Sequence, residues 1–316
     1  MNDKITISIF QLMEKFPSEV EAKRYLEKKR WNGKPVCPFC KYEEKQYRFT
    51  KDGVEGYYLC SSCKKNYTVR TGTIFERSHV PLHKWIFAFY LVVTSRKGIS
   101  SLQLSKQIGV TQKTAWFMLQ RIREACKHDN DDEGQGGFLA GIVEADETYI
   151  GGRENNKHAS KKLNAGHGAV GKTAVLGMRA RRGKVIAKVL TDTTKSTIQS
   201  ILNKTLHSDA TLCSDEHRAY LGSQFTHKVV NHSAKQFVDG MAHTNGIESV
   251  WAVLKRGLDG VFHSVSVKHL QRYVDEFMYR LNEGNVQNPV WERRDSLLEK
   301  AFTQRIQYKE LIAQYQ

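Results

Sequence analysis

No apolar run in this chain approaches the ~20 residues that a membrane-spanning helix needs. The longest, near Trp85 to Val93, suits a buried helix instead. The opening Met1-Asn2-Asp3-Lys4 lacks the basic-then-apolar plan of a secretory signal, so export is not expected. Acidic residues are too few to balance the basic ones: 33 Asp and Glu stand against 49 Lys and Arg, leaving a formal net charge of +16 and a pI near 9.5. A surface that basic calls for a polyanionic partner, and without a membrane segment the expected polyanion is DNA or RNA. Cysteine is sparse too. Of six, four fall in two close pairs, which in a cytosolic chain read as metal ligands rather than disulfides. What remains, 316 residues at 40% hydrophobic, suffices for two or three compact units.

Residues 1–30 read as amphipathic helix broken near Pro17-Ser18, with no chemistry in view. Within 31–75, Cys37-Pro38-Phe39-Cys40 and Cys60-Ser61-Ser62-Cys63 are two C-x-x-C knuckles able to offer four thiolates in a tetrahedron, the closed geometry of structural Zn²⁺. Short strands at 46–49 and 57–59, parted by Asp52-Gly53, complete a zinc ribbon. Lys41, Lys64, Lys65 and Arg70 permit a DNA contact there and equally a solvated face. From 80 to 127 the pattern is helical. Ser100 to Gln107 forms a short helix, Ile108-Gly109-Val110 a turn, and Thr111 caps a longer helix carrying Ala115, Met118, Leu119 and Ile122. That is a helix-turn-helix pattern, with Gln112, Lys113, Thr114 and Arg121 as DNA contacts; an ordinary helical hairpin has the same signature.

The acidic, Gly-rich stretch 128–137 is the expected linker. Beyond it, 138–146, 174–180 and 184–190 read as strands, 197–206 as a helix, 211–214 and 228–230 as further strands, and a helix follows from Asn245. Asp146 and Asp215 each close a short apolar run, as if held at a strand tip. Glu248 lies on the late helix, whose buried stripe is Ile247, Val250, Leu254 and Leu258. Asn245 with Glu248 three residues on is also a capping-box-like start, so Glu248 has a local role available as well. Three converging carboxylates would form a hard, oxygen-rich site for Mg²⁺ or Mn²⁺. Three strands, a helix, a strand and then helices is the order of an RNase H-like core. The fold class expected is therefore multidomain α+β: zinc ribbon, helix-turn-helix, an α/β RNase H-like catalytic domain over 138–285, and a helical tail over 286–316. The segment 151–172 reads as a basic insertion. Glu144 shares strand parity with Asp146, which opens a role as a carboxylate supporting the site, though exposure or simple packing is the commoner reading; His217, His243 and His263 read as positioning or surface groups.

The stretches Asp146-Glu147-Thr148-Tyr149-Ile150-Gly151-Gly152, Ser214-Asp215-Glu216, His243 to Glu248 with Trp251 and Lys255-Arg256-Gly257, His269-Leu270-Gln271-Arg272-Tyr273, and Asp275-Glu276-Phe277 through Asn282 carry a resemblance. Together they resemble a bacterial insertion-sequence transposase of the DDE class, of the ISXO-two-like kind with an N-terminal zinc ribbon. The resemblance spans roughly Pro35 to Asn282. It implies Asp146, Asp215 and Glu248 as a catalytic, metal-binding triad, and Lys255, with Arg256 beside it, as DNA contacts. Some relatives use Asn for the third acid, which makes Asn245 the substitute candidate; the E-x6-K spacing selects Glu248. The implied activity is cleavage of element ends and joining of the 3′-OH ends to target DNA with two Mg²⁺ or Mn²⁺ ions. Implied partners are double-stranded DNA, as terminal inverted repeats and target, and a second copy of the chain in a dimer or higher assembly. The implied location is the bacterial cytoplasm, at the nucleoid. Rival readings are a nuclease that cuts without joining and a DNA-binding regulator.

Overall fold

The computed structural model describes residues 7–127, 139–152, 158, 160, 162, 169–181, 183–230, 243–284 and 287–313. The expected linker 128–137, the strand start at Phe138 and most of the basic insertion lie outside them. The chain divides into two compact units, one formed by 1–126 with 284–316, the other by 127–283.

In the first unit, Ser8 and Gln11 exchange side-chain to backbone bonds that start α1 (Ile9–Lys15), and Ser18 caps α2 (Glu19–Trp31). The strands β1 (Gln46–Lys51), β2 (Val54–Cys60) and β3 (Asn66–Thr68) form an antiparallel sheet in that order. Asp52 and Gly53 both have positive φ, 51° and 76°, the backbone a two-residue hairpin requires. Next, α3 (Leu82–Thr94) is apolar enough to bury Trp85, Ile86, Phe89 and Val92. Gly109 ends α4 (Ser101–Ile108) in the left-handed conformation, and the Thr111 hydroxyl accepts from the Thr114 N–H to open α5 (Gln112–Ala125).

The second unit is built on β4 (Ile142–Ile150), β5 (Thr173–Ala180), β6 (Val185–Val189), β7 (Thr211–Ser214) and β8 (Thr226–Val229), in the spatial order β6-β5-β4-β7-β8. The first three run antiparallel; β7 and β8 join parallel to β4. Helix α6 (Lys195–Thr205) covers one face, where Ile198 and Leu202 meet Val143, Ala145, Leu176, Met178 and Leu212. On the other face, α7 (Asn245–Gly257) and α8 (Val267–Glu283) bring Ile247, Trp251, Leu254, Val274 and Phe277 against Val175, Val185 and Ala187. Period-two alternation along β4 and β5 thus feeds two cores. It also decides which β4 residues can reach α7. Gln271 and Asn282 of α8 bond the backbone of edge strand β6 at Val189, Ala187 and Val185, closing an edge otherwise open to pairing.

The C-terminal stretch, expected as a separate tail, returns to the first unit. There α9 (Val290–Thr303), followed by α10 (Tyr308–Ile312), docks through charge. Arg294 is 1% exposed, binds Asp295 with Nη2–Oδ1 at 2.7 Å, and stacks near Phe16 and Tyr25 of the N-terminal segment. The Tyr25 hydroxyl donates to Asp295 and accepts from Arg294, while Lys29 lies 3.0 Å from Asp295. No helix among the described residues is long and apolar enough to cross a membrane.

Candidate functional site

The four cysteines come together as their spacing predicts. Cys37 Sγ lies 3.6 Å from Cys63 Sγ and Cys40 Sγ 3.6 Å from Cys60 Sγ, and all four sulfurs fall within 4.8 Å of one another. Each knuckle closes the same way: the Lys41 N–H donates to the Cys37 carbonyl and the Lys64 N–H to that of Cys60. Both lysines have positive φ, 61° and 58°, so they are turn residues by conformation, with side chains in solvent. Four soft sulfurs and no other group fit a structural Zn²⁺. Arg70, in contrast, is withdrawn from the surface. Its guanidinium binds Glu19 at 2.6 Å and the carbonyls of Ser78 and Val80.

Of the four residues expected to reach DNA from α5, Gln112 and Lys113 are exposed. Thr114 is half-buried and its hydroxyl is shared with Thr111 at 2.9 Å. Arg121 corrects the expectation. It is 5% exposed, donates Nη1 to the Ile74 carbonyl at 2.6 Å and lies 4.3 Å over the Phe117 ring. Helical periodicity turned it inward, and burial lowers its pKa to about 10.

In the second unit, Asp146 and Asp215 meet at one end of the sheet. The parallel register pairs Glu144 with Cys213, and continuing it by two residues sets Asp146 beside Asp215, about one strand spacing, ~4.8 Å, away. Asp215 does stand at a strand tip, just after β7. Asp146 does not: it is the fifth residue of the nine-residue β4, which runs on to Ile150 paired with β5. Its opening arises because β7 stops alongside it. Glu248 projects from the first turn of α7. Burial, then the charge of Asp215, and further that of Glu248, push the Asp146 carboxyl up to about 6, against the bonds from Trp251 and the Glu147 N–H. The three acids therefore share one electrostatic site, and their mutual repulsion is of the kind a divalent cation relieves. Among the described residues the cysteines are the one group close enough to share a single ion.

Helix α7 is held from β4 and β5. Thr244 is its N-cap residue but makes no side-chain cap. The Thr244 hydroxyl instead donates to Glu248 Oε1 at 3.0 Å, so the capping-box reading of Asn245 and Glu248 does not hold. The cap comes from across the fold. Glu144 Oε2 accepts from the Ile247 N–H at 3.0 Å, and Glu144 Oε1 accepts from Arg181 Nε at 2.9 Å and lies 3.2 Å from His243 Nδ1. A Cβ on Gly246 would stand 2.5 Å from Glu144 Oε2, so glycine there makes room for the cap. Arg179 adds a bond to the Gly246 carbonyl at 2.6 Å. Glu144 is 1% exposed and is the buried anchor of the helix that carries Glu248; the strand parity it shares with Asp146 points to a supporting carboxylate, and the commoner reading of an exposed residue does not hold.

On the α6 side of β4, Glu147 lies 3.6 Å from His217 Nδ1, and the His217 N–H donates to Asp215 Oδ1 at 3.1 Å. The buried Tyr220 hydroxyl faces Glu147 short of a well-formed hydrogen bond. Burial pushes the Glu147 carboxyl up to about 7. Lys255 and Arg256 are exposed in the last turn of α7, and Asn245 is exposed at its start. His263 follows a π-turn at 258–262 with φ 56° and points to solvent.

Comparison with known proteins gives a consistent result. Residues 138–282 match the ISXO2-like transposase domain and residues 17–66 the transposase zinc-ribbon domain. A protein of Halobacterium salinarum, described as an uncharacterized protein in transposable element ISH50, is 31% identical over 281 residues, covering 84% of this chain and 91% of its own length. Among solved structures, the Mos1 strand transfer complex is 12% identical, with 68% of this chain and 78% of that one covered at a TM-score of 0.29. A pre-cleavage Mos1 transpososome gives 12%, 69%, 79% and 0.19. Likeness at that level leaves the fold to be argued from the sheet order itself.

Proposed function

This chain belongs to the ISXO2-like transposase family, and we propose that it is a DDE-class DNA transposase that cleaves the ends of an insertion sequence and joins the resulting 3′-OH ends to target DNA. What supports the reading is the parallel register that brings Asp146 level with Asp215, together with the push that the charges of Asp215 and Glu248 exert on the Asp146 carboxyl. The sheet order β6-β5-β4-β7-β8, with three antiparallel strands and two parallel ones, supports an RNase H-like core over 138–285. The acids are hard oxygen donors, suited to Mg²⁺ or Mn²⁺ rather than to a soft metal. When bound, two such ions would activate the attacking oxygen and stabilise the leaving oxygen of an in-line displacement.

The chain's own residues prepare that chemistry. Asp146, on β4, feels the charge of both Asp215 and Glu248, and the three together would hold the two ions. Lys255, seven residues and about two turns after Glu248 on the same exposed face, would hold a DNA phosphate as a point charge. Arg256 extends that contact. The turn between α4 and α5 is short and both helices are capped, which supports a helix-turn-helix reader over 80–127 with Gln112 and Lys113 facing the groove. The ribbon over 31–75 holds Zn²⁺ for folding. Net charge of +16 supports binding to the terminal inverted repeats and to target DNA. Because two element ends must be joined in concert, the working form is a dimer or larger assembly on DNA.

The test is a cleavage and strand-transfer assay on a plasmid carrying the element's own flanks, with Mg²⁺ or Mn²⁺. Metal-dependent joining of flank to plasmid, reduced on the order of 10³-fold or more by Asp215→Ala, is the expected result. Cutting without joining would replace the transposase by a nuclease. Tight DNA binding with neither activity would leave a regulator.

A further inference from the structure

Trp251 is 5% exposed, and its indole N–H needs an acceptor. The acceptor is Asp146 Oδ2, at 3.0 Å. The ring reaches it through a gap in the neighbouring strand. Gly177 of β5 is the antiparallel register partner of Asp146, and a Cβ there would stand 2.5 Å from Trp251 Cη2 and Cζ2 and 2.8 Å from the Ile247 side chain. Gly177 is not among the glycines with positive φ. Glycine at this strand-interior position, normally a weakness in a sheet, therefore answers a demand for space and not for backbone conformation. The sheet supplies the carboxylate and the slot beside it; the helix supplies the ring that fills the slot and grips the carboxylate. Trp251 and Glu248 are three apart on α7, neighbours on the helix surface, so the contact that fixes Trp251 also fixes the turn of helix from which Glu248 projects. Asp146 Oδ1 meanwhile accepts from the Glu147 N–H at 2.8 Å, which leaves the carboxylate held at both oxygens.

We infer that Trp251 and Gly177 form a positioning lock on Asp146, holding its carboxylate in the orientation that binds a divalent cation and fixing the distance to Glu248. The inference rests on the proposed metal-binding role of Asp146. It assigns to the tryptophan more than core packing: the ring could be kept and the lock still lost. Partners that orient a metal ligand contribute about 10–100-fold to metal affinity when removed.

The experiment titrates the full zinc-loaded chain with Mn²⁺, following calorimetry and tryptophan fluorescence quenching, in wild type, Asp146→Asn, Trp251→Phe and Gly177→Ala. Trp251→Phe keeps an aromatic ring in the slot and deletes the N–H; Gly177→Ala keeps the indole and displaces it. The expected result is about tenfold or more weaker Mn²⁺ binding in both, with thermal unfolding still cooperative. The Mn²⁺ requirement for cleavage should rise in parallel. In Trp251→Phe the metal-dependent part of the quenching should disappear. Wild-type Mn²⁺ affinity in either folded variant, with Asp146→Asn weakened, would overturn the lock and leave the triad standing. Equal binding by wild type and Asp146→Asn would overturn the metal-site reading and the lock together.

Discussion

Two sites in this chain are assembled by opposite means. The cysteine cluster is made from two turns in one short segment, with Cys37 and Cys63 26 residues apart. Each turn is closed by its own backbone, so the ligand arrangement is set by contacts within one short segment. The carboxylate site joins a strand interior, a strand end and a helix. Even its brace spans the domain: Glu144 and Ile247 are 103 residues apart and bonded at 3.0 Å. A local site can draw its stability from the metal alone, whereas a distributed one inherits its geometry from a sheet and from the buried charges that dock a helix to it. The first should respond to its ligands and the second to residues that never touch substrate.

The largest effect should come from breaking the local site. Structural Zn²⁺ contributes an apparent ~10–16 kcal/mol in small zinc modules. Cys60→Ser, or a strong chelator, is expected to release zinc and remove hydrogen-exchange protection from β1–β3 while amides of β4, β5 and β7 stay protected. Loss of protection in both sets would show that the two sites are not independent. Next comes the brace of the distributed site. Glu144→Gln leaves Arg181 without its buried carboxylate and should lower stability by about 3–5 kcal/mol, read as a fall in denaturation midpoint with zinc content unchanged. An unchanged midpoint would mean that α7 docks through Ile247, Val250 and Leu254 alone.

A smaller effect lies in pH. The folded-state Asp146 pKa, about 6, is raised above an unfolded value near 3.9. Between those values the folded form binds more protons, so without divalent metal the second unit should lose stability as pH rises from about 4 to 6. A loss of about 1–2 kcal/mol from Asp146 is expected after allowing for partial exposure, and Mg²⁺ at pH 7 should restore it; Asp146→Asn should remove that part of the profile and leave the part due to Glu147, whose carboxyl is pushed up to about 7. A flat wild-type profile would mean that the carboxylates are solvated apart. The smallest effect tests a residue that belongs to the distributed site but is placed by local spacing. Lys255→Ala should reduce the salt slope of DNA binding by about 1 with melting unchanged. A change in stability instead would put Lys255 among the structural residues.

Much of the fold and part of the site were legible because their signals are short-range. The C-x-x-C pairs, the Asp-Gly hairpin, the cap at Thr111 and the apolar stripe of α7 each depend on residues within a turn or two of one another. What was misread or missed depends on which way a side chain faces once elements pack. Arg121 has the charge of a DNA contact but lies on the buried face of α5. Glu144 has the charge of a surface residue but caps a helix from another element. Gly177 looks like a flaw in a strand until Trp251 is set against it.

Residue order alone was sufficient for most of the elements and for the ribbon, because periodicity, turn chemistry and cysteine spacing act along the chain. Packing had the final say on their geometry. The early stop of β7 that opens a space beside Asp146 and the parity that sends Glu144 and Asp146 toward α7 rather than α6 arise only when β4 finds its partners, and the return of α9 to the first unit only when it packs on α2, α3 and α5. Those relations join residues far apart in the chain, and no local pattern of residues encodes the distance between them.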